Sequence, residues 1–285
     1  MKRIFAGLLL ISVVFAQDTF VGDTFDRGSI DYNGRKVKAT GIGYIPQNVI
    51  NAGQARRAAL RIAKQDAMRQ LIEIVNGVTL TSETTMSGAM FDDVIKTQVQ
   101  GLIRGAYQVG DPKYLSDTSI EVAYEVPMSG ISEVVIPVAG FLDPFAPAAA
   151  GAPADETAEA PTTGSVTGLI IDCTGLGVRP AMSPQILDQN GGVIYGLGNY
   201  TREFAIKNGV AGYARGLDAG KADDRVKAGK ADDRVKGNPL VIKGVATSGS
   251  NKVDVVVGNS DIMRIRSANS SYGILKDCRV LIVLD

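Results

Sequence analysis

Hydrophobic residues recur along this chain with three different spacings, and each spacing predicts a different element. Ile4 to Phe15 is an almost unbroken apolar run behind Lys2 and Arg3, and Val14-Phe15-Ala16 supplies the small-residue pattern of a leader cleavage site. The expectation is a signal peptide over 1–16 and a mature chain starting at Gln17, because the run is too short for an ordinary membrane-spanning helix. From Gln54 to Val75 the spacing changes to threes and fours. Leu60, Ala63, Ala67, Leu71 and Ile74 form one stripe of an amphipathic helix, with Gly77 as its stop. A second such helix is predicted over Phe91 to Ile103, with Asp92 and Asp93 favouring its N-terminal dipole and Phe91, Val94, Ile95, Val99 and Leu102 on the apolar side. Strict alternation marks strands. Ile120, Val122, Tyr124 and Val126 alternate with Ser119, Glu121, Ala123 and Glu125, and shorter strands are expected at Val37 to Gly43 and Val78 to Ser82.

Beyond residue 143 the pattern lapses. Residues 144–165 contain Pro144, Pro147, Pro153 and Pro161, many alanines and no basic residue, which predicts a semi-extended Ala/Pro-rich linker. After it, residues 166–285 are richer in strands, expected at 167–172, 192–197, 240–246, 252–257 and 279–284. Asp188-Gln-Asn-Gly-Gly192 has turn chemistry, and Ser260 is placed to cap a short helix at 261–268. The expected fold class is therefore α+β in two modules. A helix-on-sheet domain occupies about 30–140, and a strand-rich α+β domain occupies 166–285.

Composition changes this picture mainly by exclusion. There is no histidine, which removes a Ser-His-Asp triad and the usual catalytic zinc site, and no tryptophan. The full chain has 30 basic and 30 acidic residues; loss of Lys2 and Arg3 with the leader leaves a net charge of −2, unlike a nucleic-acid binder. Cys173 and Cys278 are the two cysteines, each beside a hydrophobic run. In an exported protein they are disulfide candidates if those runs are neighbouring strands, and small buried apolar residues otherwise.

Motifs that could carry chemistry mostly fall short. Cys173-Thr-Gly-Leu-Gly-Val178 follows a predicted strand like a dinucleotide loop, but Pro180 stands where the fingerprint needs a third glycine. Glu121 and Glu125 share a strand face about 13 Å apart, wider than a glycosidase pair, and read as solvated. Asp188 to Asn199 resembles a calcium loop but lacks the fifth-position ligand and the closing glutamate. The Asp223-Asp224 and Asp232-Asp233 pairs are compensated by neighbouring Lys and Arg. They lie in a tandem duplication, Ala219 to Lys227 followed at once by the identical Ala228 to Lys236, which reads as an insertion in an exposed loop. No catalytic residue, metal ligand or cofactor is expected. Arg57, Arg61 and Lys64 make a basic shoulder on the long helix, a solvated face or a surface for an anionic envelope component or partner subunit.

Taken together, Val37-Lys-Ala-Thr-Gly-Ile-Gly43, the Ala-rich helix Gln54 to Ala67, Leu71, Gly77-Val78, Val99-Gln-Gly-Leu-Ile-Arg-Gly-Ala106 and Ser119 to Pro127 resemble the LPP20 lipoprotein family over about one hundred residues. The resemblance implies a small helix-on-sheet domain in the bacterial envelope, with some relatives in flagellar outer-membrane rings, and it transfers no catalytic residues. Gln17 stands where a lipoprotein needs cysteine, so no direct lipid anchor is expected. The resulting expectation is an exported, non-enzymatic structural or scaffolding protein of the periplasm or outer-membrane region. It would assemble with itself or with envelope or flagellar-ring proteins. The alternative is a binding module for a cell-wall or extracellular ligand through the C-terminal domain.

Overall fold

A computed structural model describes residues 20–45, 51–136, 165–215, 233–235 and 237–285. The expected leader, the linker up to residue 164, the first copy of the duplication and most of the second lie outside the described residues. The described residues form two sheets with helices on them, an α+β fold in two modules.

The N-terminal sheet is antiparallel throughout, in the order β1-β2-β3-β5-β4. Its strands are β1 (Gly22–Phe25), β2 (Gly28–Asp31), β3 (Lys36–Gly43), β4 (Tyr107–Tyr114) and β5 (Ile120–Pro127). α1 (Ala52–Asn76) lies across β3 and β5. Its buried residues Ala55, Ala59, Ala63, Ala67 and Leu71 recur every fourth position, and opposite them β3 presents Gly41 and Gly43. A Cβ on Gly41 would stand 2.1 Å from the Ala63 carbonyl oxygen, and one on Gly43 would stand 1.9 Å from that of Ala59. Glycine on the strand and alanine on the helix therefore let the two backbones approach to a distance that larger side chains forbid. The end of β3 that extends beyond its pairing with β2 is closed from the same helix. Asp66 reaches past β3 to accept the Ile42 N–H at 3.0 Å and pairs with Arg27 at 2.8 Å and Arg69 at 2.7 Å. Burial opposes ionisation of Asp66, but these donors outweigh it and hold its carboxyl below the usual range.

Three local expectations are corrected here. The helix does stop at Gly77, but with φ −81°, so no left-handed cap is used; its N–H bonds back to Ile74 and Val75. Val78 to Ser82 is not a strand. It turns back on itself through a single bridge between Thr79 and Thr85, and its outward carbonyls are taken by the other module. The second helix, α3 (Asp93–Arg104), follows a single-turn α2 (Met86–Ala89) and is capped by the Asp92 carboxylate on the Val94 and Ile95 N–H groups. Starting at Asp93 leaves Phe91 outside the helix, 91% exposed, and strands Val94 on the first turn, 65% exposed. Burial falls instead to Val99 and Ile103. α4 (Met128–Val135) follows β5 directly.

The C-terminal sheet is mixed, in the order β8-β7-β11-β10-β6-β12-β9. Its strands are β6 (Leu169–Asp172), β7 (Ile186–Leu187), β8 (Val193–Tyr195), β9 (Gly212–Arg215), β10 (Leu240–Ser248), β11 (Asp254–Val257) and β12 (Val280–Leu284). β10, β6, β12 and β9 run parallel, and the all-buried β12 reads as the continuous apolar run expected of a strand covered on both faces. The Asp188 to Gly192 turn joins β7 to β8, its Asp188 carboxylate accepting the Asn190 and Gly192 N–H groups, with Gly191 at φ +83°. Helices α5 (Arg202–Asn208) and α6 (Asn259–Tyr272) complete the module. Gly258 is the N-cap of α6, so Ser260 lies inside the helix and does not cap it.

The duplicated segment departs from expectation at its only described part. Asp233–Val235 forms a 3-10 turn in which Val235 is fully buried against Ile170, Leu281 and Val283. Arg234 donates to the carbonyls of Asn208 and Gly209, the latter directly after α5. The second copy therefore ends in a packed anchor rather than a wholly exposed loop. Its single valine suffices because the outer face of β6 and β12 offers a small apolar recess.

The two modules are interlocked. Arg35 on the β2–β3 turn donates to the carbonyls of Ile206 and Lys207 at the end of α5, while Arg202 at the start of α5 donates to Glu133 and Ile136 at the end of α4. Carbonyls left open at a helix end are thus satisfied by guanidinium groups, two of these contacts crossing from module to module. The Met182 and Ser183 N–H groups bond the carbonyls of Thr79 and Leu80, and Ser250 meets the Glu83 carboxylate. Tyr32 packs edge-on to Tyr213, ring centroids 6.2 Å apart. Buried apolar side chains of both modules join in one continuous cluster.

Candidate interaction face

Arg57, Arg61 and Lys64 are all exposed on α1, and Arg56 is exposed beside them. Arg56, Arg57, Arg61 and Lys64 fall within nine residues of α1, roughly 12 Å of helix, and the first acidic residue of the helix is Asp66. Among the described residues no carboxylate pairs with Arg57 or Arg61. Ring contacts place Arg56 and Lys64 on the side of the helix that faces β4 and β5. The Arg56 guanidinium lies 5.2 Å from the Tyr114 ring centroid and the Lys64 ammonium 5.7 Å from that of Tyr124. Both tyrosines point to the helix-bearing face, because Tyr114 pairs with Ile120 and Gln108 with Tyr124 in the β4–β5 register. Cations over aromatic faces gain about 0.5–1 kcal/mol at exposed sites, enough to orient Arg56 and Lys64 while leaving their charge outward.

Beside Arg56 the surface opens into a groove of about 440 Å³ floored by Ala52, Ala55 and Ile120 and rimmed by Ile45, Tyr114 and Leu115. Tyr44, Ile45, Tyr114 and Leu115 are all exposed at this end of the module. The α1 N-terminus also points here. Asn51 caps it on the Gly53 and Gln54 N–H groups, and no acidic side chain in the first turn offsets the helix dipole. The nearby Asp117 is exposed in the β4–β5 turn and accepts the Ser119 N–H and hydroxyl, bonds that lower its pKa, so one carboxylate borders this end of the module. Sequence periodicity found Arg57, Arg61 and Lys64. It missed Arg56 and the two tyrosines, because their alignment depends on strand register rather than helix spacing.

The other sequence candidates are dispersed. Cys173 and Cys278 do flank neighbouring strands, but β6 and β12 are parallel, with Asp172 opposite Val283. Cys173 follows the end of β6 and Cys278 precedes the start of β12, so the thiols lie at opposite ends of the sheet, on the order of 15–20 Å apart. No disulfide can form across that distance. Both are buried free thiols, raised by burial to about 12 for Cys173 and about 11 for Cys278. Glu125, expected on a solvated face, is 7% exposed and accepts a 2.6 Å hydrogen bond from the Tyr107 hydroxyl, with Lys36 at 3.5 Å. Glu121 pairs with Lys113 at 2.8 Å. Register explains both, since Tyr107 and Lys113 on β4 stand directly opposite them. The Thr174 to Gly177 loop leads into no helix. Its Gly175 and Gly177 N–H groups, at φ +82° and +64°, receive the Asp285 carboxylate. That occupancy leaves no phosphate cradle. Among the described residues no group of three or more His, Cys, Asp or Glu is placed to hold a metal.

The C-terminal module instead turns three of its tyrosines inward, leaving Tyr272 exposed. Tyr213 donates to the Ala181 carbonyl at 2.9 Å and accepts its N–H at 3.0 Å, Tyr195 donates to the Val210 carbonyl, and the Tyr200 hydroxyl meets that of Ser183. Burial raises the pKa of all three. No helix among the described residues is long and apolar enough to cross a membrane.

Fold and surface thus define a two-module α+β protein with a cationic, aromatic face on one module and a polar network sealed inside the other. Residues 168–285 are similar to a family described as the second domain of Treponema pallidum Tp0624. No curated protein matches the chain.

Proposed function

We propose that this chain is an exported bacterial envelope protein with a structural or scaffolding role rather than a catalytic one, and that it engages its surroundings through the N-terminal module. The observation that carries this reading is the unequal use of polar and aromatic groups. The C-terminal module spends Tyr195, Tyr200 and Tyr213 on its own backbone and hydroxyls, whereas the N-terminal module presents Arg56, Arg57, Arg61 and Lys64 beside an exposed apolar rim. The guanidinium contacts between modules make the second a rigid buttress for the first. The leader-like residues 1–16 and the LPP20 resemblance of the N-terminal module support the address, with self-assembly or envelope and flagellar outer-ring proteins as the partners.

Two measurements test it. N-terminal sequencing and intact mass of the protein recovered from cells should give Gln17 as the first residue without acyl groups. Light scattering on the mature chain should give a defined oligomer, or a defined complex once an envelope partner is supplied. A retained leader in a cytoplasmic protein removes the envelope reading, and a strict monomer that turns over a substrate removes the scaffolding reading.

A further inference from the structure

We propose that the end of the N-terminal module formed by α1, Tyr44-Ile45 and the β4–β5 turn docks on an anionic lipid bilayer. The proposal deepens the envelope reading and rests on it only for where such a surface is met.

Two features coincide there that a merely solvated face would not bring together. The first is charge. Arg56, Arg57, Arg61 and Lys64 form an acid-free row, and the uncompensated N-terminus of a helix of 25 residues lies beside it. Juxtamembrane cations of this kind are attracted to acidic headgroups by about 1 kcal/mol each. The second is apolar surface at the same end. Ile45 and Leu115 are 40% and 39% exposed, and Tyr44 and Tyr114 are 61% and 59% exposed. Tyrosine combines an apolar ring with a polar tip and favours the headgroup level, where one end is dry and the other wet. Tyr114 carries the Arg56 guanidinium over its ring, which sets an aromatic plane and a cation side by side as a lipid headgroup and its glycerol region require. Long basic side chains keep their charge at the surface while their stems lie along the apolar rim.

An acidic protein segment would satisfy the cations, but it would leave two aliphatic and two aromatic side chains without an apolar partner. An anionic bilayer satisfies both sets at once. The groove of about 440 Å³ between Ala52, Ala55, Ile45 and Leu115 adds an apolar recess directly beneath the Arg56 guanidinium. Lipid contact through this face needs no covalent anchor, in keeping with Gln17 in place of a lipobox cysteine.

The experiment is vesicle flotation of the purified mature chain. Vesicles of phosphatidylglycerol mixed with phosphatidylcholine should carry the protein to the top of the gradient, vesicles of phosphatidylcholine alone should not, and raised salt should weaken the binding without abolishing it. R57Q/R61Q/K64Q should weaken vesicle binding by roughly fivefold per cation. I45S/L115S should weaken the binding that survives at raised salt. All five positions are exposed, and an unchanged thermal midpoint confirms that each variant is folded. Equal flotation of wild type and the cation variant overturns the proposal. So does capture by immobilised poly-glutamate with no flotation on phosphatidylglycerol, which would assign the face to an acidic protein partner. Vesicle failure by a correctly exported chain removes this proposal alone, whereas a cytoplasmic, unprocessed chain removes the envelope reading and leaves the vesicle result standing.

Discussion

Three tyrosines in each module are used in opposite ways, although Tyr272 of the C-terminal module is exposed and Tyr32 and Tyr124 of the N-terminal module are buried. In the C-terminal module Tyr195, Tyr200 and Tyr213 are at most 2% exposed and their hydroxyls are all engaged. In the N-terminal module Tyr44, Tyr107 and Tyr114 stand at the surface, Tyr114 beneath the Arg56 guanidinium. A buried hydroxyl costs free energy unless it is bonded, so the first arrangement makes a unique, stiff interior. An exposed ring next to arginine gains little for stability and is available to something outside. Under the proposed function, the first arrangement holds the shape of its module and the second is the surface offered to a partner.

That division can be broken first at the helix–sheet contact. Replacing Gly41 with valine puts a branched side chain where even a Cβ meets backbone at 2.1 Å, so α1 cannot seat on β3. The expected outcome is loss of the folded N-terminal module, seen as collapse of the cooperative thermal transition, with the cation row dispersed. A smaller loss is expected inside the buttress. Tyr213→Phe leaves the Ala181 N–H and carbonyl without their partner and should cost about 1–3 kcal/mol in denaturant unfolding. Alkali probes the same groups. The raised folded pKa values of Tyr195 and Tyr213 mean that their stabilising contribution is complete below the ordinary tyrosine value and is lost as pH rises above it. Their tyrosinate absorbance should appear only together with unfolding.

The duplicated segment sharpens the comparison from a third direction. Val235→Ala removes two methyl groups from a fully buried site and should cost about 1–2 kcal/mol. Deleting Ala228 to Lys236 should cost far less, although it removes the same valine. The retained copy has the identical sequence and meets Gly237 in the same register, so its Asp224-Arg225-Val226 replaces the anchor. Equal losses from the two variants would show that the retained copy does not bring its valine to the recess. The smallest effect of a single substitution is expected at Asp66. Its depressed pKa gives stability that is present above the usual carboxylate range and fades as pH falls through the folded value, so Asp66→Asn should cost about 1 kcal/mol at neutral pH and flatten the acid limb of the stability curve.

Much of this fold was legible in the chain. The alternation at Ile120 to Val126 and the apolar run at Val280 to Leu284 are strands because burial on one face or two leaves distinct patterns. The α1 stripe is equally direct. The short strands β1, β2, β7 and β9 were not legible, since two to four residues carry no period and are fixed only by their neighbours. The same limit hid the candidate face. Arg57, Arg61 and Lys64 follow helix spacing, but their meeting with Tyr114 and Tyr124 depends on which strands pair and in what register. Strand direction also decided the cysteines, because neighbouring runs bring the thiols together only if antiparallel. Val235 was misread because its charged neighbours dominate the segment, and one recess on the sheet is invisible from sequence.

The most direct test of the account sets the two modules against each other by charge reversal. R57E/R61E/K64E on α1 and R264E/R266E on α6 place new acidic groups on exposed helix faces of the two modules. Each variant, with a thermal midpoint near that of the parent, is expressed in the native host and followed by envelope fractionation. The account predicts that the α1 variant leaves the membrane-bound envelope fraction for the soluble one while the α6 variant stays with the parent. Release of the α6 variant with retention of the α1 variant would contradict it, and would assign the contact to the C-terminal module.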